Sequence, residues 1–179
     1  GFEYQQLSEL CVAALLHDIG MTQLDMDCYV QKENLSEKDR TALEEHPKLG
    51  WHFFKHLKDD FPWLLRVILE EHKREQGQGY PDQTPDDLHP YSKVVGVCDT
   101  FEALTHQRIF RKAFHPADAI KFVIEAKETF FPKSLLRAVL NSLGMYPTGS
   151  LVKLNNERIA QVVEVVMDSP LRPVVQTLP

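Results

Sequence analysis

Six side chains in this sequence have the types and the order for divalent-metal chemistry: His17, Asp18, His46, Glu71, His72 and Asp99. Imidazole nitrogens and carboxylate oxygens are the donors from which proteins build such sites. Taken singly, each has a blander reading. A lone histidine is more often a surface or hydrogen-bonded group, a His-Asp pair recurs by chance, and Glu70-Glu71 also reads as a solvated helix face. Context separates these six from the rest. Leu-Leu-His-Asp-Ile-Gly spans 15–20, Glu-His-Pro spans 45–47, and Glu71-His72 precedes Gly-Gln-Gly-Tyr-Pro at 77–81. Cys-Asp-Thr-Phe-Glu-Ala-Leu follows at 98–104. His52, His56, His89, His106 and His115 lack such context and read as solvated or locally bonded imidazoles.

Neighbouring side chains on a helix point about 100° apart. His17 and Asp18 can therefore serve one metal region only from a helix end or a closely packed centre. Alternatively, Asp18 bridges two metals while His17 binds one of them.

The elements that must carry these groups are mostly helical. Leu7, Leu10, Cys11, Ala14 and Leu15 recur at helical spacing and predict a helix from Glu3 to Asp18 with that stripe inward, ended by Gly20. A loop follows to Leu35. Ser36 with Asp39 is a capping-box start for a helix through His46, and Pro47 restarts it for a stretch through Leu57. Pro62 opens a helix over Trp63–His72, and the glycines and proline of 76–81 predict a loop that stays polar to Pro90. Tyr91–Thr105 reads as a long helix with Val94, Val97, Phe101 and Leu104 on one stripe. Further helices start at Pro116, through Phe130, and at Pro132, ending at Gly144. Ser150–Leu154 and Ile159–Met167, separated by Asn155-Asn156, read as a hairpin.

The chain has 179 residues, 43% hydrophobic and 26% charged, which suits one globular domain without long disorder. Its net charge of −6 argues against a general binder of nucleic-acid polymers. No apolar run approaches the ~20 residues that span a bilayer, so no membrane contact is expected. No signal-peptide pattern opens it. Cys11, Cys28 and Cys98 are odd in number and form no CxxC, as suits thiols in a reducing cytoplasm. The start at Gly1 suits a domain of a longer receptor.

His17-Asp18-Ile19-Gly20 resembles the HD signature, and Gly77-Gln78-Gly79-Tyr80-Pro81 resembles the GYP signature, of the HD-GYP phosphohydrolases. Asp99–Leu104 with Arg108 and Arg111 downstream, and Tyr146–Val152, are similar to later segments of the same family. The resemblance runs from about Leu7 to Pro173. It implies an all-α HD-type helical bundle with a small C-terminal β-hairpin. The expected layout is a single domain over 1–179, with a helical core over 1–149, hairpin and tail over 150–179, and a helix missing upstream. It implies two or three metals, usually iron or manganese, and hydrolysis of cyclic di-GMP. Carried over, His17, Asp18, His46, His72 and Asp99 fall on metal-ligand positions, with Asp18 as bridge and His17-Asp18 as the catalytic pair. Tyr80 falls beside the nucleotide, Arg108 and Arg111 fall near its phosphates, and the GYP loop falls where GGDEF-type partner proteins dock.

The sequence departs from that pattern at several points. Glu71 stands where the family has the first of two adjacent histidines, and as a carboxylate it remains a candidate ligand. Met21 replaces a lysine, while Lys73 and Gln76 replace a glutamate and an aspartate. No histidine precedes His17. Two readings follow. One is a metal-dependent phosphodiesterase with a modified site. The other is a degenerate module that binds a cyclic dinucleotide or a partner protein, with little or no turnover.

Overall fold

A computed structural model of the chain describes residues 1–25, 35–74, 77, 79–81, 87–108, 111–126, 130–167 and 169–178. Helices dominate: α1 (Tyr4–Leu16), α2 (Glu37–Leu43), α3 (His46–Phe54), α4 (Pro62–Glu70), α5 (Pro90–Thr105), α6 (Pro116–Ala126) and α7 (Lys133–Leu143). Strands β1 (Leu151–Lys153), β2 (Ile159–Glu164) and β3 (Val174–Thr177) form one antiparallel sheet in the order β1-β2-β3. The expected hairpin is β1–β2, and a third strand from the segment read as a tail joins it. No helix among the described residues is long and apolar enough to cross a membrane. Cys11 and Cys98 are exposed free thiols, and Cys28 lies outside the described residues.

Two compact units make up the chain, divided within α5 after Asp99. The first holds 1–99 with 108–112, and the second holds 100–107 with 113–179. In the second, Ala119, Ile120 and Val123 of α6 are buried, as are Ala160 and Val162 on alternate positions of β2. That alternation is the period of two that a one-sided sheet requires.

The first unit contains all six candidate ligands. Its core joins Ala13 of α1, Leu64, Leu65, Val67 and Ile68 of α4, and Tyr91 and Val95 of α5, with Trp51, Phe54 and Trp63 packed against them. Each fully buried aliphatic or aromatic side chain here contributes about 1.5–3 kcal/mol from removal from water. Ser36 caps α2 as its sequence predicts: its hydroxyl accepts from the Asp39 amide at 3.1 Å, and the Asp39 carboxylate accepts from the Ser36 amide. Pro47 lies in the first turn of α3, where its missing N–H costs nothing.

Two helix faces differ from expectation. Leu15 of α1 is 82% exposed, and Leu7, Cys11 and Ala14 are exposed too, whereas Leu10, Ala13 and Leu16 face the core. The helix is apolar nearly all round, so periodicity alone picks the wrong stripe. In α5 the buried residues are Tyr91, Ser92, Val95, Gly96 and Val97; of the expected stripe Val97 is among them, and Val94, Phe101 and Leu104 are half-buried.

One glycine contact sets the geometry of the site. A short helical turn, Ile19–Gln23, lies against α3. A Cβ on Gly20 would come within 1.9 Å of the His46 carbonyl oxygen and 2.6 Å of the Gly50 amide nitrogen. Only a residue without a side chain permits this approach, which brings Asp18 to His46.

Candidate metal centre

His17 and Asp18 follow the last residue of α1, His46 opens α3, and Glu71 and His72 follow the last residue of α4. All five therefore sit where a helix stops or starts, free to turn toward a common point. Ligand atoms of Asp18, His46, Glu71 and His72 lie within 4.8 Å of one another. His17 adjoins them, its Nε2 lying 3.4 Å from Asp18 Oδ2 and 3.6 Å from Glu71 Oε2.

The two histidines at helix ends are oriented in the same way. Nδ1 of His17 donates to the Ala14 carbonyl, and Nδ1 of His46 to the Leu43 carbonyl, each at 2.7 Å. That bond fixes the ring and directs Nε2 to the centre, as metal-binding imidazoles require. Nε2 of His46 lies 3.2 Å from Asp18 Oδ1 and 3.6 Å from Glu71 Oε1.

Glu70 and Glu71 are not a solvated face: they are 8% and 1% exposed. Among the described residues neither Glu71 oxygen has a hydrogen-bond partner, nor does Nε2 of His17 or of His46, although all four atoms are buried. Buried polar groups without partners cost about 1–3 kcal/mol each, more when charged. A divalent cation bonded to these atoms would remove that cost, and their mix of imidazole and carboxylate suits a first-row metal. The donor set fits the group that the family resemblance implies.

Without a cation the cluster is an ion-pair network. Burial alone would lower the His17 and His46 imidazoles, but the Asp18 and Glu71 carboxylates outweigh it and raise them to about 10 and about 9. Burial would raise Asp18, yet the same two rings, 3.4 and 3.2 Å from its oxygens, hold it far below the usual carboxylate range. Burial dominates at Glu71 and lifts it to about 7. At His72, burial and then the charges of His46 and Arg74 lower the ring to about 3, leaving it neutral and able to ligate.

The remaining candidates fall into two groups. Asp99 stands beside the other ring nitrogen of His72, with Oδ2 4.0 Å from Nδ1, while Nε2 points to Glu71 Oε1 at 3.8 Å. Tyr80 stacks on His72, centroids 4.5 Å apart and planes 24° apart, and meets His46 edge-on at 6.0 Å. Gly79 makes that possible. Its φ of +92° and a hypothetical Cβ 1.9 Å from the His72 carbonyl oxygen exclude any side chain. Arg108 and Arg111 exchange backbone hydrogen bonds, at 2.9 and 3.0 Å. Arg108 is exposed, and the Arg111 guanidinium donates to the Lys112 carbonyl.

Two residues carry weight that the sequence did not signal. The Arg74 guanidinium donates to the carbonyls of Glu71 and Lys73 at 2.7 and 2.8 Å, fixing the turn that presents Glu71 and His72. Glu70 accepts from Arg66 Nε at 2.7 Å, from the His89 amide at 2.8 Å and from Ser92 Oγ at 3.0 Å. These bonds close the base of the segment between α4 and α5.

Residues 1–133 match the family model described as HD domain. The chain belongs to the HD domain family. It is 29% identical over 157 residues to a cyclic di-GMP phosphodiesterase of Pseudomonas aeruginosa, covering 87% of this chain and 38% of that protein. It is 25% identical over 175 residues to a cyclic di-GMP phosphodiesterase of Borreliella burgdorferi, covering 97% and 46%. It is also 26% identical over 136 residues to a 3'3'-cGAMP-specific phosphodiesterase of Vibrio cholerae, covering 75% and 29%. The chain spans less than half the length of these relatives. Its motif order and its relatives make this an HD domain of the HD-GYP type.

Proposed function

We propose that this HD domain is a metal-dependent phosphodiesterase module whose substrate is cyclic di-GMP. One observation carries the reading: buried, unbonded donor atoms of His17, His46 and Glu71 converge beside Asp18 and His72. The activity in the names of its relatives supports the substrate. Iron or manganese is the proposed metal, held by His17, Asp18, His46, Glu71 and His72, with Asp99 beside them.

The bound metal would supply Lewis-acid stabilisation of the charge on the scissile phosphate. The protein's own groups do the rest. Backbone bonds at Nδ1 hold the His17 and His46 rings in place before substrate arrives. Asp18, with its side chain 53% exposed, is the carboxylate that faces incoming substrate. Tyr80 braces His72 with one ring face and offers the other to a guanine, in the manner of aromatic platforms for unpaired bases. Arg108 and Arg111 supply planar donors suited to phosphate oxygens. The Tyr80-Pro81 segment is the proposed docking point for a GGDEF-type partner. Cyclic di-GMP is an intracellular messenger, so the domain would work in the cytoplasm.

The test is direct. Protein loaded anaerobically with Fe(II) or with Mn(II) is incubated with cyclic di-GMP, and linear products are resolved by chromatography. His46→Ala should lower metal content at least tenfold and abolish turnover. If the full-length protein retains metal and binds the dinucleotide but leaves it intact, the non-catalytic reading replaces this one.

A further inference from the structure

Glu71 stands where the family pattern has a histidine, and its surroundings assign it a specific task. Its two oxygens look in different directions: Oε2 lies 3.6 Å from Nε2 of His17, while Oε1 lies 3.6 Å from Nε2 of His46 and 3.8 Å from Nε2 of His72. Asp18 divides in the same way, with Oδ2 3.4 Å from His17 and Oδ1 3.2 Å from His46. Two carboxylates thus stand side by side between one imidazole on the first flank and two on the second.

We propose that Glu71 is a second bridging carboxylate, giving one oxygen to each of two divalent cations, in parallel with Asp18. His17 would be terminal on one cation, with His46 and His72 terminal on the other. The inference rests on the metal-dependent reading above and specifies how that site is built. Burial decides between the binding modes. The Glu71 side chain is 0% exposed and neither oxygen has a hydrogen-bond donor. A terminal, one-oxygen ligand would strand the other oxygen in that state, at the cost of an unsatisfied charged acceptor. Chelation of one cation by both oxygens would leave His17 without an ion, because it stands outside the set of Asp18, His46, Glu71 and His72 donors that lie within 4.8 Å of one another, although its Nε2 adjoins Glu71 Oε2. A bridge satisfies both.

The bridge also selects the class of metal. Replacing an imidazole by a carboxylate makes the site richer in oxygen and more negative. That favours Mn(II) and Fe(II) over softer ions that prefer nitrogen and sulfur.

The experiment uses the whole chain with Mn(II) as probe. Metal per chain is measured by elemental analysis, and the coupling between ions by electron paramagnetic resonance. The wild type should hold two Mn(II) ions with an exchange-coupled signal. Glu71→Gln keeps the shape but has one oxygen, and Glu71→His supplies a terminal imidazole; neither can bridge. Both should show altered coupling at saturating Mn(II). Glu71→Gln should also bind the second ion at least tenfold more weakly, since loss of even outer-sphere partners costs roughly 10–100-fold. Two ions with wild-type coupling in both variants would overturn the bridge, as would a wild type that binds a single ion or two uncoupled ions. The last two results leave the metal reading standing. Wild-type protein that takes up no Mn(II) or Fe(II) would defeat the metal reading itself. Because the wild type alone can refute the bridge, poor folding of a variant does not shelter it.

Discussion

Removing the Glu70 carboxylate should loosen the whole frame of the centre, and the cost can be worked from its contacts. Glu70 accepts three hydrogen bonds, and their environments differ. Arg66 is 45% exposed at its side chain, so that pair contributes only about 0–1 kcal/mol. Ser92 is 2% exposed, and its hydroxyl would lose its acceptor in the interior, a penalty of about 1–3 kcal/mol. The part-buried His89 amide would lose a charge-assisted bond of similar size. Glu70→Ala should therefore destabilise the first unit by about 2–7 kcal/mol, the range these three contributions span. Glu70→Gln should cost only about 1 kcal/mol. Its carbonyl can keep Ser92 and His89, and its amide faces the exposed Arg66. Both tryptophans, Trp51 and Trp63, lie in the first unit, so urea unfolding followed by tryptophan fluorescence reports on that unit. The amide linking residue 70 to 89 also holds the base of the segment that follows Glu71 and His72. Mn(II) affinity should thus fall at least tenfold in Glu70→Ala. A loss under about 1 kcal/mol for Glu70→Ala, or equal losses for the alanine and glutamine variants, would refute the reasoning.

Other outcomes follow from single contacts. Gly20→Ala drives a Cβ into the His46 carbonyl and the Gly50 amide, both backbone, so it should cost about 3 kcal/mol or more in the same urea assay and impair Mn(II) binding. Gly149→Ala, in the second unit at φ +92° with open space around it, is the control and should cost only about 1–2 kcal/mol from backbone strain, followed by circular dichroism because both tryptophans lie in the first unit. Tyr80→Phe keeps the ring on His72 and should keep metal affinity, whereas Tyr80→Ala should lose about 1 kcal/mol, roughly fivefold in Mn(II) affinity by calorimetry. The Tyr91 amide donates to His89 Nδ1, an acceptor role that only the neutral ring can fill, and burial and then Arg66 lower the basicity of that ring. A depressed histidine makes the unfolded chain the better proton acceptor. This contribution to stability is therefore present above the unfolded value of about 6.5 and is lost as pH falls below it. His89→Asn retains an acceptor for the helix start and does not titrate, so thermal melts should show the wild type losing ground to it between pH 7 and pH 5.

The order of helices and the Ser36 cap were legible because each depends on residues close in sequence, whereas the candidate ligands, spread from 17 to 99, were singled out only by motif order and family resemblance. The Glu70 bonds to His89 and Ser92 were not, since they join positions 19 and 22 apart that only folding brings together. Nor was the placement of Asp99 on the Nδ1 side of His72. The buried faces of α1 and α5 were read only in part, with Leu10 and Val97 placed correctly, for a different reason: apolar periodicity was considered without the chemistry. Side chains three, four and seven positions apart share a helix face. Counting back from His17 by four and seven gives Ala13 and Leu10, the residues that face the core in α1. Counting back from Asp99 by four, seven and eight gives Val95, Ser92 and Tyr91, all buried in α5. Counting back from Glu71 by three, four and seven gives Ile68, Val67 and Leu64, buried in α4. His17, Asp99 and Glu71 thus extend their helices' buried stripes to the rim of the core, whereas Asp18, counted back by four and seven, meets the exposed Ala14 and Cys11. The apolar residues that pack α1, α4 and α5 together thereby also set the angle at which those donors meet His46 at the start of α3. In α1, which offers two apolar stripes, the one in phase with His17 is inside and the one in phase with Asp18 is outside.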